Sequence, residues 1–250
     1  MSELEGASRG PGAGRTDPFS LVKEGGGRAT LVGHTNVGKS LLLARATRAQ
    51  TRLGAYTLST QEPVQGMLPY RDIYIQLVDT PPISNPSTQS GLYGLLRSSD
   101  VFVVVVDLTM DAVTQARTVF SELEQWGFRL LAREQERDEE SPWLTKPAIL
   151  VGNKADLEGS LDQFEELELT FGNNHPVVMA SAEEEGGLDE LGEEIFLALK
   201  VIRVYTKSPR EKLEEFVRAN PLVLSLGSTV ADAAELRREL ERDEVRIVAG

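Results

Sequence analysis

The chain has 250 residues, room for one large domain or for one medium and one small domain. Its 40% hydrophobic content supports a packed core, yet no apolar run approaches the ~20 residues needed to span a bilayer, and no N-terminal charge-plus-apolar pattern suggests a signal peptide. Without cysteine it has no disulfides or thiolate metal sites, which makes a cytoplasmic location the simplest expectation, and its net charge of −13 argues against a dedicated nucleic-acid binder.

Residues 1–27 include "GASRGPGAG" and "EGGG", a composition that predicts a flexible arm. Order is expected from "RATLVG" (28–33), a short apolar strand. A helix should follow from about Lys39 to Gln50, burying Leu41, Leu42, Leu43 and Ala46. Between them "GHTNVGKS" (33–40) fits G-x-x-x-x-G-K-[ST] in the strand–loop–helix context that motif requires. Bare glycine and successive N–H groups at a helix N-terminus suit a polyphosphate. Gly33, Asn36, Val37 and Gly38 would form the cradle, Lys39 would pair with the β- and γ-phosphates, and the Ser40 hydroxyl would ligate magnesium. The plainer alternative is a Gly-rich turn that merely joins two elements. His34 lies inside this loop, with its side chain expected to point away from the phosphates.

Residues 51–63 lack periodicity and read as a loop. "VQGMLPY" and "DIYIQLVD" form a hairpin pair joined near Arg71. The second run ends on Asp79, where a carboxylate can hold magnesium, often through its water. As an isolated residue it would more often be a cap or a turn. The segment that follows, Thr80, Pro81 and Pro82, is where a nucleotide-sensing switch would begin. Next, "DVFVVVVD" (100–107) has the near-continuous apolar character of a central strand buried on both faces. A helical stretch from Asp111 to about Trp126 and a charged surface insertion at 133–142 come after it.

"KPAILVGNKAD" is another buried strand running into a loop. Asn-Lys-x-Asp in that position can present Asp156 to the N1–H and N2–H₂ of guanine together, a pattern adenine cannot match. The Lys154 stem can lie over the base, and Asn153 can tie this loop to the phosphate loop. "PVVMASA" repeats the strand-then-loop pattern, with Ser181 and Ala182 placed so that the Ala182 N–H can reach guanine O6. His175, in "GNNHP", reads as a loop residue. A helix from about Leu188 to Leu199 closes the series. Strands alternating with helices predict a parallel α/β sheet with its ligand at the strands' C-terminal ends.

From residue 200 the character changes. "KVIRVYTK" and "PLVLSLG" are strand-like, "TVADAAELRRELER" is helix-like, and "VRIVAG" is strand-like again. Residues 201–250 hold equal numbers of basic and acidic side chains, so the whole negative excess lies in residues 1–200. Arg203, Lys207, Arg210 and Lys212 cluster at the start of this unit, as a contact patch or as an ordinary solvated face.

These motifs together resemble a translation-factor-class GTPase of the Obg and developmentally regulated GTP-binding (DRG) group, over about residues 28–250. "LGAYTLSTQEPVQGML" resembles that group's switch I, and the resemblance places a magnesium-ligating threonine at Thr60, with Ser59 as the alternative. "LKVIRVYTK" resembles the start of a TGS domain, a β-grasp module that usually contacts RNA, ribosomes or proteins. The resemblance thus implies a P-loop GTP-binding domain over 28–199 and a TGS-like domain over 200–250. The implied cofactors are Mg2+ and, through Asn36, K+, the plainer alternative for Asn36 being a residue that fixes its own turn. No catalytic residue is identified, and Lys39 and Asn36 are the candidate transition-state stabilisers.

Three departures qualify it. The glycine usual after Asp-Thr-Pro is Pro82, which has no N–H to give a γ-phosphate. Ile83 occupies the place of a water-orienting glutamine, though hydrophobic residues there are familiar in the group. The TGS-like segment stops at Gly250, so that module is either shortened or degenerate. Two functions follow as expectations: slow hydrolysis of GTP, or a nucleotide-holding scaffold that docks a partner. An ATPase is opposed by Asn153, Lys154 and Asp156.

Overall fold

The computed structural model describes residues 17–48, 62–84, 89–133, 135, 140–205 and 221–248. Its main sheet runs in the order β2 (Val64–Tyr70), β3 (Ile73–Asp79), β1 (Arg28–Val32), β4 (Val101–Asp107), β6 (Leu144–Asn153). β5 (Phe128–Leu131) and β7 (Val177–Met179) share the outer edge of β6, one along each half. All pairs are parallel except the β2–β3 hairpin, which turns at Arg71 with φ 53°.

The Val-rich central strand shows why the sheet is covered on both sides. Val101, Val103 and Val105 face one apolar cluster with α1 (Lys39–Ala46) and α5 (Leu188–Leu199). Phe102, Val104 and Val106 face the other, with α2 (Gln89–Ser98), α3 (Ala112–Gln125) and α4 (Ser160–Phe171). Successive side chains of a strand point to opposite faces, so an unbroken apolar run feeds two cores. Asp111 caps α3, its Oδ1 accepting from the Thr114 N–H at 2.8 Å.

Four features differ from the sequence reading. α2 is interrupted by Gly91 and Gly94, β5 is only four residues long, and α4 buries only Leu167 and Phe171 of its apolar side chains; the sequence reading contains none of the three. α1 ends at Ala46, where Thr47 Oγ1 turns back onto the Leu43 carbonyl at 2.8 Å. Residues 17–27 make specific contacts where composition suggested an arm. Lys23 pairs with Asp100 at 2.6 Å, Gly26 N–H donates to the Tyr74 carbonyl at 2.7 Å, and Phe19 lies against Gly91 of α2. Arg28, buried at the foot of β1, gathers this strap: its guanidinium donates to Gln76 Oε1 at 2.7 Å, Ser98 Oγ at 2.5 Å and the Leu21 carbonyl at 2.7 Å.

The fourth difference is at the C-terminal end. β8 (Val201–Val204) and β9 (Leu222–Ser225) form an antiparallel pair, and α6 (Val230–Val248) packs on β9. Thr229 and Asp232 cap α6 reciprocally. "VRIVAG", expected as a strand, continues α6 as far as Val248, extending the charged helical pattern before it. The pair sits against the β2–β3 hairpin: Arg203 and Tyr205 both donate to Asp72, and Val223 approaches Gly26. Lys207, Arg210 and Lys212 lie outside the described residues.

Candidate functional site

The loop between β1 and α1 has the backbone its sequence implies. Gly33 (φ 151°), Asn36 (φ 64°) and Gly38 (φ 92°) all have positive φ. A Cβ on Gly33 would stand 2.4 Å from the Val105 carbonyl oxygen, so only glycine fits this close backbone approach. Val37 is buried beneath the loop, whereas Thr35 and Asn36 are exposed on it. Lys39 folds over the concavity, its Nζ donating to the carbonyls of Gly33 at 2.9 Å and His34 at 2.7 Å. Burial lowers its pKa, and nearby Asp79 partly opposes that.

Ser40 Oγ donates to Asp79 Oδ2 at 2.5 Å. A hydroxyl and a carboxylate side by side at the foot of a phosphate loop are hard oxygen donors suited to magnesium, which takes one or two protein ligands plus phosphate and water. Among the described residues no three His, Cys, Asp or Glu side chains gather as a metal cluster. The residues therefore fit a magnesium shared with a nucleotide rather than one caged by protein. Thr60 and Ser59 lie outside the described residues.

After Asp79 the chain turns inward. Thr80 Oγ1 donates to the Leu31 carbonyl at 2.8 Å, so its side chain braces β1 instead of facing a ligand. Pro81 is buried and Pro82 half-buried. Ile83, only 2% exposed, joins the apolar cluster that holds Leu92 and Leu96 of α2. A side chain at that depth cannot orient a water over a phosphate.

The base-recognition residues are drawn together by β6, β7 and the loops that follow. Asn153 Nδ2 donates to the Val37 carbonyl at 2.8 Å, while its Oδ1 accepts from the Ala182 N–H at 3.1 Å. One amide thus joins the phosphate loop to the Ser181–Ala182 loop. Ser181 Oγ donates to Asp156 Oδ1 at 2.5 Å and accepts from the Glu184 N–H at 3.0 Å, fixing the carboxylate's rotamer. Lys154, with φ 67°, swings its ammonium to Asp107 at the end of β4. The sequence reading did not single out Asp107. The sequence shows that its strand ends in an acid, but that this strand lies beside the one ending in Asn153 is visible only in the fold. His175 is a loop residue, but a buried one, set edge-on against Phe120.

The sheet order, the glycine-bounded loop and the convergent Asn153 define the class: a P-loop G domain. The chain belongs to the 50S ribosome-binding GTPase family, whose sequence profile it matches over residues 28–154. An uncharacterised GTP-binding protein of Methanocaldococcus jannaschii is 27% identical, with 91% of this chain and 71% of that protein covered. The developmentally-regulated GTP-binding protein 2 homolog of Dictyostelium discoideum is 31% identical over 46% of this chain and 32% of its own. GTPase Obg of Borrelia garinii is 27% identical over 68% of this chain and 50% of its own. The chain thus spans only a third to a half of the last two relatives. In fold it is similar to the FeoB G-domain of Methanococcus jannaschii, with a TM-score of 0.50, 23% identity, and coverage of 70% of this chain and 98% of that one.

Proposed function

We propose that this chain binds GTP and GDP with magnesium and hydrolyses GTP slowly, with a blunted response to the γ-phosphate. The observation that carries the guanine reading is Asn153. Its one amide holds the phosphate loop through Val37 and the base loop through Ala182, so a nucleotide bridging them meets a preformed site. In this reading Gly33, Asn36, Val37, Gly38, Lys39 and Ser40 hold the phosphates. Asp156 accepts from the guanine N1–H and N2–H₂, the Ala182 N–H meets O6, and Lys154 lies along the ring. Ser40, Asp79 and Thr60 hold the magnesium, which when bound neutralises phosphate charge. Lys39 and Asn36 stabilise the charge that develops during phosphoryl transfer, Asn36 through a monovalent cation such as potassium.

Nucleotide competition tests this reading. GTP should displace a labelled guanine nucleotide far better than ATP does. Asp156→Asn should weaken GTP and favour xanthosine triphosphate, because one charge-assisted pair is worth about 1.5–3 kcal/mol. Equal displacement by ATP and GTP would refute it.

The burial of Ile83 favours a second reading, a nucleotide-holding scaffold with negligible turnover. Single-turnover hydrolysis with excess protein separates the two, since a scaffold leaves GTP intact over hours. In either case we place the chain in the cytoplasm, and no described helix is long and apolar enough to cross a membrane. We assign residues 200–250 as a TGS-like unit that contacts ribosome or RNA. The name of the family suggests a ribosome partner, and the placement of that contact in residues 200–250 rests on the sequence resemblance.

A further inference from the structure

β4 ends on Asp107, a carboxylate only 5% exposed that faces the base-recognition loop. Its register partner on β6 is Asn153, which brings the next residue, Lys154, alongside it. Lys154 Nζ pairs with Asp107 Oδ2. The other oxygen, Oδ1, accepts from the Thr109 N–H at 2.9 Å and from Thr109 Oγ1 at 2.6 Å. The backbone is gripped as well. Gln115 Oε1 accepts from the Asp107 N–H at 3.0 Å, and Gln115 Nε2 donates to the Asp107 carbonyl at 3.0 Å. Burial works to raise the pKa of this carboxyl, but the hydrogen bonds from Lys154 and Thr109 outweigh it and leave it below the ordinary carboxylate value.

Such a mounting does more than a fold needs. A buried ion pair is weak evidence for stability, because desolvation offsets its attraction. Here the acid is locked on every side, whereas the lysine keeps 31% of its side chain exposed. Lysine is a flexible stem that loses considerable rotamer entropy when ordered. A stem tethered at its tip loses that freedom before a ligand arrives. Neighbouring side chains are fixed in the same way, Asn153 by Val37 and Ala182 and Asp156 by Ser181.

We propose that Asp107 is a positioning residue for base recognition: it anchors the Lys154 ammonium so that the lysine stem stands as a fixed apolar wall for the guanine ring. This deepens the guanine-nucleotide reading and rests on it. Asp107 touches no nucleotide in this scheme and acts only through Lys154.

The test measures dissociation constants for GDP and for inorganic tripolyphosphate, which meets the phosphate loop but has no base. The proteins are wild type, Asp107→Asn, Asp107→Glu, Lys154→Met and the Asp107→Asn/Lys154→Met double variant. Asp107→Asn should weaken GDP about two- to tenfold, the scale of ordering one flexible side chain on binding, and leave tripolyphosphate unchanged. Asp107→Glu, which keeps the charge, should recover part of that loss. In the Lys154→Met background Asp107→Asn should cost nothing further, because its route to the base is already gone. Parallel losses for GDP and tripolyphosphate would overturn the proposal, as would a folded Asn variant with wild-type GDP affinity or additive losses in the double variant. If Asp107→Asn fails to fold, the Glu variant carries the test: reduced GDP and unchanged tripolyphosphate support the proposal, and unchanged GDP overturns it. Failure of the wild-type protein to bind GDP would instead sink the nucleotide reading itself.

Discussion

The side-chain amide of Asn153 occupies the space a side chain on Gly38 would need: a Cβ there would stand 2.2 Å from Nδ2. The same amide donates to the Val37 carbonyl at 2.8 Å, so the phosphate loop and the end of β6 are fitted to each other at one residue. Gly38 also has φ 92°, a conformation that costs an L-residue about 1–3 kcal/mol. Gly38→Ala should therefore break the tie between the loops and lower GDP affinity by at least about tenfold. Titration with a fluorescent guanine nucleotide measures it, and unchanged affinity would mean the two loops do not cooperate.

Asn36 leads to a second expectation. It is exposed, with φ 64°, on the loop between β1 and α1 that the proposed site assigns to the phosphates. Hydrolysis in potassium should exceed that in sodium at equal ionic strength by several-fold, and Asn36→Ala should erase the difference. Identical rates in the two salts would remove the monovalent cation from the account.

His175 makes the fold acid-sensitive. Burial against Phe120 lowers its pKa from 6.5, opposed in part by a hydrogen bond with the Ala148 backbone. The folded protein thus disfavours the proton that the unfolded chain accepts. Stability is full above the unfolded value and declines as pH falls below it. His175→Phe should lose less stability than wild type between neutral pH and about pH 5 in chemical denaturation. Equal losses would show that carboxylates alone govern acid unfolding.

How far the sequence revealed all this depends on how local the signal was. The phosphate loop was legible because glycines at fixed spacing are dictated by backbone geometry within a few residues. Asn153, Asp156 and Ser181 were legible because each follows a buried strand. The motif placed Thr80 at the start of a switch but could not show the bond by which its hydroxyl braces the Leu31 carbonyl, which depends on β1 lying beside β3. Asp107 was opaque because its partner, Lys154, lies far away in sequence and meets it only through β4–β6 register. Arg28 was opaque for a similar reason, its guanidinium being satisfied by Gln76, Ser98 and Leu21 from three separate segments. α4 escaped because its buried face rests on few apolar residues, Leu167 and Phe171 among them.

The C-terminal unit supplies a fourth prediction. It is neutral in sum, so a contact with ribosomal RNA must rely on a local basic patch and should be modest and salt-sensitive. Deleting residues 201–250 should abolish ribosome co-sedimentation. Because Arg203 and Tyr205 hold the Asp72 turn between β2 and β3, Asp72→Ala should loosen the unit without removing it. Hydrogen exchange over 201–205 would report that loosening. Co-sedimentation that survives the deletion would assign the contact to the acidic G domain.

In the proposed function the nucleotide site works while its γ-phosphate sensor is blunted at Pro82. A residue with an N–H at this position could donate to the γ-phosphate, and that bond would be worth about 1.5–3 kcal/mol, a ten- to hundredfold preference for GTP. Proline cannot donate, and the next residue, Ile83, is held in the core beside α2. A ligand shifts a switch only by its differential affinity for the two states. The most direct measurement is the ratio of GTP to GDP affinity in wild type and in Pro82→Gly. Wild type should show a ratio within about tenfold of unity, and the glycine variant a higher one. A wild-type ratio far above ten, unmoved by Pro82→Gly, would contradict a blunted sensor by showing that another donor senses the γ-phosphate.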